Sequence, residues 1–246
     1  MGASAIEFRL RLAISTVVIT LGYWAPWIEP MGWQRRSTLA GLALGLTRMG
    51  AAKFGASTAI VIVTGALIAA LGAGLRVWGT AYLGTMTVNN AQMKAGTVLA
   101  DGPYRYVRNP LYLGSWLVAL AMAFAMPPTG ALFALVLLAV LILRLILGEE
   151  AFLTGQLGEP YRAYLRAVPR LFPRLRSGLP RGGAKPNWGR AVLAELNPIG
   201  VFVALAFFSW SYDNWRIVQV ILIGFGVSLV VRALLPRSPE SPTAVA

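Results

Sequence analysis

Apolar residues run in blocks along this chain, and the blocks are long. The first covers roughly Leu12 to Ile28, near the ~17–25 residues that a membrane-crossing helix needs. Glu29-Pro30-Met31-Gly32 breaks it. A second block, Phe54 to Leu75, ends at Arg76-Val77-Trp78, a pairing suited to a headgroup interface. A third runs from Leu111 to Met126 and a fourth from Ala131 to Leu147. Pro127-Pro128-Thr129-Gly130 lies between those two and predicts a turn. A turn this short cannot recross a bilayer, so the third and fourth blocks form an antiparallel hairpin. Two more blocks, Ala191–Trp210 and Trp215–Leu234, close the pattern. Residues 39–50 are apolar but short, and fit a re-entrant or surface helix. No alternation reads as strand, and Gly72-Ala73-Gly74 lacks the strand and spacing of a dinucleotide fingerprint.

The pattern therefore predicts an all-α, polytopic membrane bundle of about six spans. Its expected organisation is N-terminal spans over 1–64, a core over 65–175, a basic linker over 176–190, a C-terminal pair of spans over 191–235 and a disordered tail over 236–246.

Composition agrees. Hydrophobic residues make up 57% of 246 and charged residues 13%, against about 25% charged in an average soluble domain. The net charge of +13 sits between apolar blocks, where membrane topology and anionic lipid explain it better than nucleic acid. Residues 96–110 and 148–190 fall on one side of the hairpin and are basic, so that side is expected to face the cytoplasm of a bacterial inner membrane. Arg35, Arg36, Arg48 and Lys53 run against this orientation. The chain has no Cys and no His. Thiol chemistry and Cys-ligated metal are excluded, and so is the commonest general base near neutral pH.

Three stretches carry candidate chemistry. Asp101-Gly102-Pro103-Tyr104-Arg105-Tyr106-Val107-Arg108-Asn109-Pro110-Leu111-Tyr112-Leu113-Gly114 leads into the third block. Pro110 suits the first helical turn and Asn109 an N-cap. The helix start offers free N–H groups to a carboxylate. An interfacial anchor of Tyr and Arg would look the same. Glu149-Glu150 ends the fourth block, where two carboxylates oppose the helix dipole. Such a local violation points to function, or to a salt bridge with Arg144, Arg105 or Arg108. Hairpin geometry returns this pair to the depth of residues 104–112. The third stretch, Gly158 to Arg170, places Tyr161, Tyr164, Leu165 and Val168 on one helical face, bounded by Pro160 and Pro169.

Together these stretches resemble the isoprenylcysteine carboxyl methyltransferase family and its relatives among the phospholipid methyltransferases. The shared pattern is a GPYRYVRHPxYxG stretch, a hairpin, a Glu-Glu pair, a GxxYxxY segment and a VPRxxP ending, here Gly102–Gly114, Glu149-Glu150, Gly158–Tyr164 and Val168–Pro173. The resemblance implies an S-adenosylmethionine site on the cytoplasmic side, built from helices and loops. By position it implies that Leu99, Gly102, Tyr104, Tyr106, Arg108, Asn109, Pro110, Tyr112, Leu113 and Glu150 line that site. Asn109 stands where the family has His, so a cofactor-orienting role survives and a base role does not. Glu149, Asp101, Arg105 and Arg108 are then expected to touch a lipophilic acceptor entering from the bilayer. A steroid-type membrane reductase using NADPH and a non-catalytic membrane protein are the competing readings. Oligomeric state and acceptor are open.

Overall fold

The computed structural model describes residues 2–24, 37–93, 100–177, 179–211 and 214–234. Leu99, expected in the cofactor site, lies outside the described residues. The chain is all-helical, 78% helix with no strand among the described residues. Among the described residues nine helices run in order: α1 Ala5–Tyr23, α2 Thr38–Arg48, α3 Phe54–Met93, α4 Pro110–Ala123, α5 Pro128–Leu157, α6 Glu159–Ala167, α7 Trp188–Ala194, α8 Leu196–Ser211 and α9 Asn214–Leu234. A short 3-10 turn, Gly102–Arg105, precedes α4.

Among the described residues two helical stretches are long and apolar enough to cross a membrane, Phe54–Leu83 and Pro128–Leu157, each of 30 residues. A third span results if α7 and α8, bent by 71°, are counted as one. α4 has 14 residues, short of the ~20 a helix needs to cross, and packs between α3 and α5. Leu67, Leu71, Leu132 and Val136 stay exposed on α3 and α5, which a lipid surround satisfies and water does not. The chain is an integral membrane protein.

The helices meet through small residues. A Cβ added at Gly72 would come 2.9 Å from the Gly114 carbonyl oxygen, and one at Gly114 would come 2.7 Å from that of Gly72. The backbones of α3 and α4 therefore touch, the close approach by which membrane helices gain packing without a hydrophobic drive. Of the two glycines that fail as a nucleotide fingerprint, Gly72 serves this crossing and Gly74 faces open space. Val18, Ala119, Ala123, Met126, Ala134 and Leu138 join α1 to the α4–α5 hairpin. Ala66, Ala69, Ala121, Val201 and Leu205 join α3, α4 and α8.

Several sequence boundaries shift. α3 continues well past Leu75 because Arg76 is not at an interface: its Nε lies 2.6 Å from Glu195. α5 runs through Glu149-Glu150 to Leu157. The single span expected from Ala191 breaks at Glu195, the residue that turns inward to Arg76. The apolar block at 39–50 holds α2, whose start is stitched to the hairpin. The Thr38 and Leu39 amides each donate at 2.8 Å, to the Met126 and Phe124 carbonyls respectively, so α2 satisfies carbonyls that the end of α4 leaves open. Within the basic segment after α6, Leu179, Gly182, Ala184 and Asn187 are hydrogen-bonded to Arg105, Asp101 and Ala81.

Candidate active site at the mouth of the hairpin

The α4–α5 hairpin is closed at Pro127 and open at the Asn109/Glu150 end. Arg108, Asn109, Tyr112, Glu149 and Glu150, all marked by the sequence, lie at that open end. Glu150 is the hub, 6% exposed. Arg108 Nη1 donates to its Oε1 at 2.9 Å, and Arg170 donates through Nη2 to Oε2 at 2.7 Å and through Nε to both oxygens. Asn109 Nδ2 adds a long bond of 3.5 Å to Oε1 and donates to the Arg170 carbonyl at 3.2 Å. Asn109 starts α4 as expected, yet its side chain makes no cap bond; it is spent on Glu150. Burying a carboxylate is costly unless its lone pairs are filled, and here charged donors fill them. The same contact holds the Arg170 proton more tightly than usual. Arg170 ends the Gly158–Arg170 stretch and the VPR motif, but is not among the residues that the resemblance assigns to the site.

Glu149, one position earlier, points elsewhere, because successive helical residues are about 100° apart. Its carboxylate meets the Tyr112 hydroxyl on α4. Glu149 and Tyr112 both remain partly exposed.

The next layer is aromatic. Tyr161 and Tyr164 of α6 pack with Tyr104, Ala100 and Val168, and the Tyr164 hydroxyl donates to the Tyr104 carbonyl at 2.8 Å. Burial pushes the Tyr161 phenol up to about 12 and those of Tyr104 and Tyr164 further. All three stay neutral at physiological pH and act as hydrogen-bonding groups, not bases. Two deeply placed polar atoms here have no partner among the described residues: Tyr104 Oη and Arg108 Nε. A buried unsatisfied donor costs about 1–3 kcal/mol, so both fit a ligand that brings acceptor oxygens.

Asp101 and Arg105 face the segment after α6. Both Asp101 oxygens accept backbone N–H groups, from Gly182 and Ala184, each at 2.9 Å. Arg105 donates to the Leu179 carbonyl at 2.6 and 3.2 Å. Between them opens a half-open cleft of about 390 Å³, walled by Trp78, Tyr82, Gly102, Tyr106 and Arg181 among others. Gly102 has φ +56, and the Tyr82 ring occupies the space a side chain there would need, so only glycine closes this wall. Trp78 and Tyr106 lie 6.1 Å apart, ring centre to ring centre. The size matches small-molecule sites, ~300–1,000 Å³. Pro110 and Leu113 sit in the first turn of α4, Pro110 buried and Leu113 partly so. Among the described residues no group of acidic side chains is arranged to hold a metal ion.

An all-helical membrane protein with a polar, aromatic-lined site at one end of a helical hairpin is the class these features define. Residues 60–159 match the model of the phospholipid methyltransferase family, the family of integral membrane methyltransferases. The matched stretch holds α4, most of α3, all of α5 and the Asp101–Gly114 motif. No curated protein and no solved structure matches the chain.

Proposed function

We propose that this protein moves a methyl group from S-adenosylmethionine to a lipophilic acceptor arriving laterally from the bilayer, an isoprenylcysteine-like carboxylate or a lipid amine. One observation carries the reading: the family-matched motif residues Gly102, Arg105 and Tyr106 help to wall an aromatic cleft of about 390 Å³, a few residues before the Arg108 and Asn109 that clasp Glu150. The cofactor supplies an activated methyl on a sulfonium. The faces of Trp78, Tyr82 and Tyr106 suit both a purine ring and a cation. Tyr104 Oη and Arg108 Nε offer donors to its hydroxyls or carboxylate. Glu150, with Arg108, Asn109 and Arg170, holds the first turn of α4 and hence Pro110, Tyr112 and Leu113 in place.

Glu149 is the carboxylate left with room for an acceptor. It can orient an amine and receive its proton, the Tyr112 hydroxyl steadying it. A carboxylate acceptor needs no base and turns instead to the arginines. Holding donor and acceptor in line supplies ~7–11 kcal/mol of the barrier, so a site without His suffices. The excess of Lys and Arg on this side favours a cytoplasmic active site.

Calorimetric titration of detergent-purified protein with S-adenosylmethionine and its demethylated product tests the cofactor, with Glu150→Gln alongside. The expected result is micromolar binding that the variant weakens at least tenfold. Folded protein that binds neither ligand, but does bind NADPH, overturns the proposal. Transfer of labelled methyl into extracted lipids then identifies the acceptor.

A further inference from the structure

The segment Leu179–Ala184 lies beyond the family-matched residues, carries little apolar surface and reads in sequence as a linker. It is nevertheless tied down along its length. Arg105 grips the Leu179 carbonyl, Arg181 bridges to Ala100 in parallel fashion, and Asp101 receives the Gly182 and Ala184 amides. Just beyond, the Asn187 amide donates to the Ala81 carbonyl at 2.9 Å, and Trp188 meets Tyr82 edge-on at 6.5 Å. Gly183, at φ +78, lets the chain reverse between the two amides that Asp101 holds. Asp101 is 6% exposed. A buried carboxylate spent wholly on two amides of a surface strap implies that the strap's position matters. Its inner side, Arg181, Gly183 and Ala184, is one wall of the aromatic cleft.

The charges around the cleft are mostly committed. The start of α4 already has an anion beside it, the Glu150 carboxylate with Arg108 and Arg170. Arg76 is taken by Glu195 and Arg105 by Leu179. Arg181, across the cleft from Trp78 and Tyr106, has no acidic partner among the described residues.

We propose that the strap Leu179–Ala184 is the closing wall of the cofactor site, that Arg181 receives the carboxylate at the amino-acid end of the cofactor, and that Asp101 is the positioning residue that latches the strap. The nucleoside lies against the aromatic wall opposite. This deepens the reading given under Proposed function and rests on it.

The test uses the full chain in detergent and two probes: S-adenosylhomocysteine, and 5′-methylthioadenosine, which keeps the nucleoside but lacks the carboxylate. Arg181→Ala is expected to weaken the first by ~10- to 100-fold, the range of one lost charge-assisted contact, and to leave the second unchanged. Arg181→Lys recovers part of the loss. Asp101→Asn, which cannot accept both amides, is expected to weaken the first probe and to speed tryptic cleavage after Arg181, while the bound probe slows that cleavage in the parent protein. An unchanged preference between the probes in Arg181→Ala overturns the inference. So does a loss seen only as weaker binding to anionic vesicles, which assigns the cation to lipid phosphate. Parent protein that binds neither nucleoside defeats the methyltransferase reading instead, and the proteolysis comparison still reports on the latch.

Discussion

Glu150 and Glu195 are both buried carboxylates clasped by arginine, and they sit in differently built surroundings. Glu150 draws its partners from one neighbourhood: Arg108 and Asn109 at the start of α4, Arg170 just past α6. Its side is open enough that Arg170 keeps 42% of its side chain exposed. Glu195 sits at the 71° bend between α7 and α8 and reaches a partner 119 residues away, Arg76, with the Thr80 hydroxyl donating to its other oxygen at 2.6 Å. Arg76 also donates to the Leu111 carbonyl and the Ser115 hydroxyl. The first cluster organises a mouth. The second fastens the C-terminal helices, which lie outside the family match, to the core.

The comparison breaks most sharply at Glu195. Glu195→Ala strips the partly buried Arg76 guanidinium of its carboxylate and leaves it only the Leu111 carbonyl and Ser115 hydroxyl, a loss of up to ~3–5 kcal/mol, and a large drop in melting temperature in detergent is expected. An unchanged melting temperature would show that the bend is not held by this pair. Glu150→Gln is expected to cost less, ~1.5–3 kcal/mol, because solvent reaches Arg170, and to be felt more in ligand binding than in stability. Equal losses of stability for the two variants would erase the distinction.

A smaller effect is alkaline. Tyr161 ionises near 10 in the unfolded chain and about 12 in place. The folded state therefore holds its proton more tightly. Its contribution to stability is full below pH about 10 and is lost as pH rises toward 12. Melting temperatures measured across that window should fall, and Tyr161→Phe should flatten the slope. At the bottom of the scale is the pair of Glu159 with Arg166, exposed at 63% and 68%. Glu159→Ala should leave the melting curve unmoved.

Legibility followed the range of the interactions. The Pro127 turn, the start of α4 at Pro110 and the apolar face of α6 were all readable, because each depends on residues within a turn or two. Tyr161, Tyr164 and Val168 are buried as their spacing implied. The salt-bridge alternative for Glu150 named Arg108 correctly, while Arg144 pairs instead with Glu7. What stayed hidden is long-range. Arg76 resembles an interfacial residue until Glu195 is placed beside it, which explains both the overlong α3 and the missed bend. The bonds of Asp101 and Arg105 to the strap after α6, 74 to 83 residues away, have no counterpart in the local sequence. About six spans follow from hydropathy alone; helix length and apolarity in the fold account for two to three.

The 119-residue gap between Arg76 and Glu195 also sets an order of assembly. The ribosome delivers α3 first, and at ~5–20 residues per second Arg76 waits several seconds or more before Glu195 exists. Leu111 and Ser115 emerge much sooner, only 35 and 39 residues after it, and both already bond the same guanidinium in the finished protein. Those two groups can hold the charge in the interval, which would let α3 and α4 settle as a pair in the bilayer. The C-terminal helices then arrive as the late piece whose carboxylate completes the joint.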